Sequence, residues 1–351
     1  MKKPRDIQFF LTFVAAITLV VISQTFFTAD SPAKNSEIMK QATARAAAWM
    51  QIIQKEKEAR HLISAEAHHF PAEAMLGDEL SEMTTTLGAL EAKKISVNPQ
   101  IAALVVRWIT ELGLDSTDEV MVASSGSFPG IAVSTLAALQ TLNQRTVLVT
   151  SVGASSFGAN QPAMTILDIE NILFAQGGLR YISELVTYGC DNDNGEGFFD
   201  GGREEVDSAA LRNNTILWVP ASLEEAIRKR VEIATRHRIK LLINIGGNHA
   251  MLGNCVHASS LPNGLHRSLQ ICVHSDRGAI ARIHETGIPI IHFLNITDLG
   301  LKYGISDSHT SNNTLYTAQT PNRWVLSCFL FALVAVVIFL RNVKIDTPER
   351  K

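Results

Sequence analysis

Short runs rich in β-branched residues alternate with helical patterns along most of the chain that follows Asp115. These runs are nearly continuously apolar, which indicates strands that are covered on both faces. Strands that alternate with helices predict an α/β fold with a Rossmann-like, mostly parallel sheet. The predicted strands read EVMVAS, TVLVTSVG, TILWVP, IKLLINIGG, LQICVH and IPIIHFLN. The predicted helices between them are Ile131–Leu142, Met164–Ala175, Leu223–His237 and Asp276–Thr286.

A helical region is predicted to precede this sheet. From Asn35 to about Leu62 the chain is rich in Ala, Gln, Lys and Glu and lacks Gly and Pro, which favours one long helix. Asn35 or Ser36 is expected to cap this helix. A further amphipathic helix is predicted from Pro99 to Leu112, because proline is favoured in the first turn of a helix.

Each end of the chain carries a long apolar stretch next to basic residues. Ile7 to Phe27 holds 21 residues without a charge, and Trp324 to Leu340 holds 17. A membrane-spanning helix needs about 20 apolar residues and basic flanks stay in the cytoplasm, so two spans are predicted. A cleaved signal peptide is the alternative for the first stretch, although Phe27 would stand at the −3 position, which needs a small residue. A buried core helix is the alternative for the second stretch.

These patterns predict a protein of the cytoplasmic membrane with both termini in the cytoplasm and the main domain outside. The predicted segments are a cytoplasmic N terminus (1–6), a transmembrane helix (7–27), an extracytoplasmic helical region (28–117), an extracytoplasmic α/β domain (118–310), a linker (311–323), a transmembrane helix (324–340) and a cytoplasmic tail (341–351). The formal net charge of −3 gives no sign of a nucleic-acid partner.

Few cysteines lie in the predicted outer part. Cys190, Cys255 and Cys272 are an odd number, which allows one disulfide and one free thiol. A Cys255–Cys272 bridge and a chance repeat of the letters CVH both remain open. The Cys and His of these repeats do not have a standard zinc-ligand spacing, so no metal or cofactor is predicted.

The loops at the predicted strand ends indicate a polar pocket, because ligands of parallel sheets bind beyond the carboxyl ends of the strands. These loops read SSGSFPG, GASSFGANQP, PASLEE and GGNHAMLG. Loops of this composition also occur without a site, and the convergence of several of them favours one. The residues predicted to bind a ligand are Ser125, Gly126, Ser127, Asn160, Asp193, Arg203, Gly246, Gly247 and Asn248.

Ser127 has three alternative roles: helix cap, anion contact or nucleophile. The nucleophile elbow needs Gly two residues before and two residues after the serine, but Ser125 and Pro129 stand there. Pro129 suits a first helical turn, so the pattern favours a cap whose loop faces an anion. Ser156 is nearer to the elbow, with His249 as a possible base and Asp193 as an orienting acid. This serine-type triad is the enzymatic alternative.

The segment Gly189 to Glu205 is rich in Gly and acidic residues. Asp191 and Asp193 have the spacing of calcium ligands, but Glu196 stands where an EF-hand needs Gly and Gly202 where it needs Glu. A binding loop with Asp193 and Arg203 as polar contacts and an exposed flexible loop are the two interpretations left open.

Several motifs in one order resemble the poly-γ-glutamate system proteins. They read LGDELSEMTTTLGALEAKKISVNP, SSGSFPG, SVGASSFGANQP, GCDNDNGEGFFDGGRE and LLINIGGNHAMLG. The resemblance covers most of residues 76–253, and Cys190 and His249 depart from the family pattern. It implies a membrane companion of the ligase and membrane components that make and export an anionic γ-linked glutamate polymer.

The implied partners are the membrane, the polymer and the other membrane proteins of its synthesis system. Lys93, Lys94 and Arg203 are expected to hold individual carboxylates of this polymer. The net charge near zero predicts a pocket for a chain end or short segment rather than a long basic track. The alternative function is a serine-type amidohydrolase or transpeptidase that acts on γ-glutamyl bonds.

Overall fold

The computed structural model describes residues 10, 13–14, 17–18, 21, 28–64, 70–199, 201–255, 257–268, 277–307, 311–321 and 323–342. The chain forms two compact units. Residues 35–315 make up one unit, and residues 1–34 together with 316–351 make up the other. The helices that precede the sheet therefore belong to the same unit as the sheet itself.

A mostly parallel, six-stranded sheet lies at the centre of the larger unit, as the sequence predicts for the fold class. Its spatial order is β6-β3-β2-β7-β9-β8, and only β8 runs antiparallel to its neighbour. The strands are β2 (Glu119–Ser125), β3 (Arg145–Ser151), β6 (Ser183–Thr187), β7 (Leu241–Ile245), β8 (Gly264–His266) and β9 (Ile290–Phe293). A small hairpin adds β4 (Asn160–Gln161) and β5 (Met164–Thr165).

Helices cover both faces of this sheet. The long predicted helix is confirmed as α1 (Ser36–Ala59), although its N-cap residue Asn35 makes no side-chain cap bond. The other helices of this unit are α2 (Leu90–Ser96), α3 (Ile101–Leu112), α4 (Pro129–Thr141), α5 (Ile166–Gln176), α6 (Gly202–Arg212), α7 (Leu223–His237), α8 (His249–Leu252), α9 (Ala279–His284) and α10 (Ile296–Tyr303), with a 3₁₀ turn at Pro71–Met75.

Alternate residues of the strands point to the two helical layers. Met121 and Val149 pack in one core with Ile227 and Ile233 of α7. Val122 and Leu148 meet α4 and α5 on the opposite face. Burial on both faces explains why the strands are apolar throughout instead of alternating.

The predicted strand TILWVP is wrong. Among the described residues it forms a single β-bridge, between Leu217 and Val186, and the Trp218 N–H donates to Val186 O at 2.9 Å. The Ile216 side chain is 89% exposed, so the segment follows the open edge of β6 without a buried face to hold it as a strand. The predicted strand LQICVH lies outside the described residues.

The smaller unit joins the two ends of the chain through a two-stranded ribbon. β1 (Thr28–Pro32) pairs antiparallel with β10 (Thr317–Pro321), and Thr28 stands opposite Pro321. The Ala33 N–H also donates to Tyr316 O at 2.8 Å. α11 (Arg323–Asn342) contains the second predicted apolar stretch in helical form. Most of Ile7–Phe27 lies outside the described residues.

In the part of the chain that the structure describes, no helix combines the length and the apolarity that a membrane crossing requires.

Lys57 of α1 is buried in the larger unit, with its amine donating to Leu76 O at 2.8 Å. Burial lowers its pKa from 10.5 to about 7, and nearby Asp78 opposes this shift. The unfolded chain then binds more protons than the folded one between these two values. The free energy of unfolding should therefore rise with pH from 7 towards 10.5.

We expect Lys57→Met to reduce this rise in the free energy of unfolding by up to about 1.4 kcal/mol per pH unit. Urea unfolding of the full chain between pH 7 and pH 9 measures the slope. Lys40→Met, at an exposed position of α1, is the control and should keep the slope of the unsubstituted chain. An unchanged slope in Lys57→Met would contradict the lowered pKa.

Candidate functional site

A cavity of about 480 Å³ opens where the central strands end. Its wall is formed by the ends of β2 and β3 and the segments that follow β2, β3, β6, β7 and β9, together with residues 85–89, 92 and 93. This is the expected place for a ligand of a parallel sheet. The predicted site residues in this wall are Lys93, Ser125, Ser127, Gly247, Asn248 and His249.

Two predicted glycines allow loops to approach each other instead of lining the cavity. A Cβ at Gly126 would lie 2.5 Å from Val152 O, and one at Gly246 would lie 2.2 Å from Ser125 Oγ. Gly246 also has a φ of 96°, which residues with a side chain rarely adopt. Both glycines therefore let neighbouring loops pack closely and so shape the cavity wall.

Asn160 and Arg203 lie outside the cavity wall. Asn160 is buried, and its amide donates to Asp78 O at 2.8 Å and to Thr84 Oγ1 at 3.0 Å. The Arg203 guanidinium lies 4.8 Å from the centre of the Tyr188 ring. Asn160 thus holds the loop that leads to α2, and Arg203 stacks on an aromatic side chain.

Ser127 does not cap α4. Phe128 occupies the N-cap position without a side-chain cap bond, because Pro129 begins the helix one residue later than a Ser127 cap would need. The Ser127 Oγ instead accepts the Ser155 N–H at 3.1 Å. Ser127 faces the cavity and ties the loop after β2 to the loop after β3.

Lys93 is a buried amine in the cavity wall, 2% exposed. It donates to Ser155 Oγ at 2.7 Å and also to the Ser127 carbonyl oxygen, and lies 4.2 Å from the centre of the Phe128 ring. Among the described residues no carboxylate pairs with it. Burial therefore lowers the pKa of Lys93 from 10.5 to about 7.

His249 lies in the cavity wall, but its hydrogen-bond partners are not the serines that the sequence predicts. Its Nδ1 accepts the Asn192 N–H at 3.2 Å, and its Nε2 lies 2.6 Å from Asn254 Oδ1. Asp191 Oδ1 is 3.9 Å from Nδ1. The structure brings together His249 and Asp191, but shows no hydrogen bond from His249 to Ser127 or Ser156, all of which are described.

Ser156 is buried, and its hydroxyl has no hydrogen-bond partner among the described residues. It does not line the cavity. Its N–H donates to Thr86 O at 2.9 Å, which ties the loop after β3 to the segment that precedes α2. The neighbouring Ser155 turns into the cavity instead.

Asp193 lies behind the cavity wall as a buried charge. It is 0% exposed and its Oδ2 is 2.8 Å from the guanidinium of Arg230, which is 1% exposed. Its Oδ1 accepts from Thr187 Oγ1 at 2.9 Å and from Asn248 Nδ2 at 2.8 Å. Ser151, which lines the cavity, also donates to this oxygen. Asp193 thus positions residues that face the ligand space.

The cysteines fall into two classes. Cys255 is disulfide-bonded, as one of the two sequence interpretations requires, while Cys272 lies outside the described residues. Cys190 lines the cavity with a free thiol. Burial, with the charges of Asp191 and Asp193, raises the pKa of Cys190 to about 12, so it stays protonated and is a poor nucleophile.

Sequence reasoning missed Ser155 and the lowered pKa of Lys93. Gly153 stands two residues before Ser155, which supplies the first half of the nucleophile elbow and was a usable signal. Burial of Lys93 depends on how α2 packs, and nothing local in the sequence signals it.

We expect Arg230→Met to lower the free energy of unfolding by about 3–5 kcal/mol, because it leaves Asp193 charged and buried without its cation. Chemical denaturation of the full chain measures the loss. The double variant Arg230→Met/Asp193→Asn should recover part of it, since the buried charge is gone.

The matched control is Arg236→Met, which removes an exposed ion pair with Glu184. Its loss should stay within about 1 kcal/mol. Equal losses in the free energy of unfolding for the two arginine variants would show that the buried ion pair stabilises the fold no more than the exposed one does.

The comparison with known proteins adds no relative to this geometry. No protein-family model, curated protein or solved structure matches the chain.

Proposed function

We propose that the protein is a membrane-tethered, extracytoplasmic component of a poly-γ-glutamate system whose cavity binds a short segment of the γ-linked polymer. The observation that carries this proposal is the strand-end cavity with the Lys93 amine in its wall. The ordered sequence motifs supply the polymer class.

The cavity has the size and the donors that such a segment needs. Its volume of about 480 Å³ falls in the range of small-ligand sites, about 300–1,000 Å³. Ser125, Ser127 and Asn248 offer neutral polar groups. Helix α4 begins directly after Phe128, another residue of the wall, so its positive end favours a carboxylate there.

Acidic groups restrict how much polymer the cavity accepts. Asp191 and Glu196 also belong to the wall, and like charges repel a polyanion at close range. A long polymer track along this wall is therefore disfavoured. A chain end or a segment of a few residues fits the charge distribution better.

The ends of the chain support tethering at a membrane. Exposed apolar surface such as that of α11 is typical of contact with lipid or with another protein. Because Thr28 pairs with Pro321, both apolar ends would enter the membrane from the same side. The large exposed apolar side chains of α11 are Trp324, Leu330, Phe331, Val334, Val336, Ile338 and Phe339.

The full-length protein in detergent micelles should bind γ-linked glutamate oligomers at least about 10-fold more tightly than α-linked oligomers of equal length, a difference of about 1.4 kcal/mol. In the γ-linked chain each carboxylate sits on a backbone carbon beside an amide, whereas in the α-linked chain it sits on a flexible side chain. Isothermal titration calorimetry measures both affinities. Equal affinities would contradict the proposal.

Ala92→Trp should fill the cavity and weaken γ-linked oligomer binding at least about 10-fold. Ala92 is half-buried and lines the cavity on α2. The matched control is Ala48→Trp at an exposed position of α1, which should bind as the unsubstituted protein does. Unchanged binding in Ala92→Trp would place the polymer elsewhere on the molecule.

A further inference from the structure

We infer that Ser155 and Lys93 form a nucleophile–base pair that cleaves amide bonds of the chain held in this cavity. The inference takes its substrate class from the function proposed above. The pair itself rests on the geometry of the two side chains.

The contact between the two residues has the geometry of proton transfer. Lys93 Nζ and Ser155 Oγ are 2.7 Å apart, within the reach that a general base needs. A neutral amine has two hydrogens and one lone pair. The Ser127 carbonyl takes one of these hydrogens, which leaves the lone pair free to be directed at the Ser155 hydroxyl.

Burial lets a large fraction of Lys93 be neutral near pH 7, the state that a general base needs. A solvated lysine is protonated at neutral pH and cannot accept a proton, whereas burial brings the pKa of Lys93 to about 7. Near pH 7 about half of the molecules therefore carry the neutral amine. No described carboxylate pairs with Lys93 to hold the proton on it.

Ser155 is better placed than the other serines of the loops. Lys93 contacts the carbonyl oxygen of Ser127 and not its hydroxyl, which accepts the Ser155 N–H. The Ser156 hydroxyl is buried away from the cavity. Ser155 alone of these three joins a cavity-facing hydroxyl to the buried amine.

The reaction balances with water as the co-reactant. Lys93 takes the hydroxyl proton of Ser155 as Oγ bonds to the amide carbon, and the C–N bond breaks as the ammonium returns this proton to the leaving nitrogen. Water then attacks the ester carbon and gives a proton to Lys93. The carbon–Oγ bond breaks as Lys93 returns this proton to Oγ, and the product acid gives its remaining proton to the solvent and leaves as a carboxylate.

The test uses the full-length protein in detergent with a fluorophosphonate, which labels activated serines, and a γ-linked glutamate oligomer of defined length. Peptide mass spectrometry should find the label on Ser155, and chromatography should show shortening of the oligomer. The turnover rate should rise with pH through about 7 and level off above, because only the neutral amine of Lys93 acts as base.

Ser155→Ala should remove the label and slow shortening at least about 100-fold, and Lys93→Met should slow shortening by about 100- to 10,000-fold. The serine control is Ser134→Ala, which removes a buried hydroxyl without a described partner from α4. The lysine control is Lys57→Met. Lys57 is also buried with a pKa of about 7, but it does not line the cavity. Both controls should keep label and turnover.

The outcomes separate this inference from the proposed function. Oligomer binding without label or shortening overturns the pair and leaves the binding function standing. A label on Ser155 without oligomer binding supports the pair and overturns its substrate class. A label on Ser127 or Ser156, or turnover that persists in Ser155→Ala, assigns the chemistry to another residue and overturns the pair.

Discussion

The buried ion pair between Asp193 and Arg230 is the constraint on which the cavity wall depends. It joins helix α7 to the loop after β6, and through Thr187 and Ser151 it fixes the ends of two neighbouring strands. Asn248, at the end of β7, donates to the same carboxylate. A charge that is sealed from water tolerates little displacement, because each lost contact leaves it unpaired. The pair therefore holds several loops in one arrangement without itself meeting a ligand.

The larger unit buries two lysines whose environments differ from that of an ordinary surface amine. Lys57 and Lys93 are both buried and both have a pKa near 7, yet only Lys93 reaches the cavity. The Lys57 amine donates to the backbone carbonyl of Leu76 and so ties α1 to the segment that follows it. Lys93 meets a hydroxyl that faces ligand space. The same desolvation has a structural consequence at one site and a chemical consequence at the other, because the partner atom differs.

The sequence predicted the sheet and the loops that form the cavity, because near-continuous apolar strands and strand-end Ser and Gly are local signals. It failed at TILWVP, where β-branched residues lie beside an open edge, and it missed the short strand β6 (Ser183–Thr187). Ser127 was predicted to cap α4, but Phe128 holds the N-cap position and the Ser127 Oγ accepts the Ser155 N–H instead. Ser155 and Lys93 lie 62 residues apart in the chain, so their contact depends on tertiary packing, which no periodicity reports.

The ribbon of β1 and β10 has a consequence for how this chain can be rearranged. Since Ala33 bonds to Tyr316, the stretch between them begins and ends at neighbouring points, as in domains that tolerate insertion into another protein. The whole stretch is thus topologically an insert in a hairpin. Joining residues 35 and 315, the ends of the larger unit, by a short linker and opening the chain at an exposed loop would give a circular permutant with the same strand order in the sheet. Without that linker, the two neighbouring ends would let the same stretch be inserted into a different hairpin.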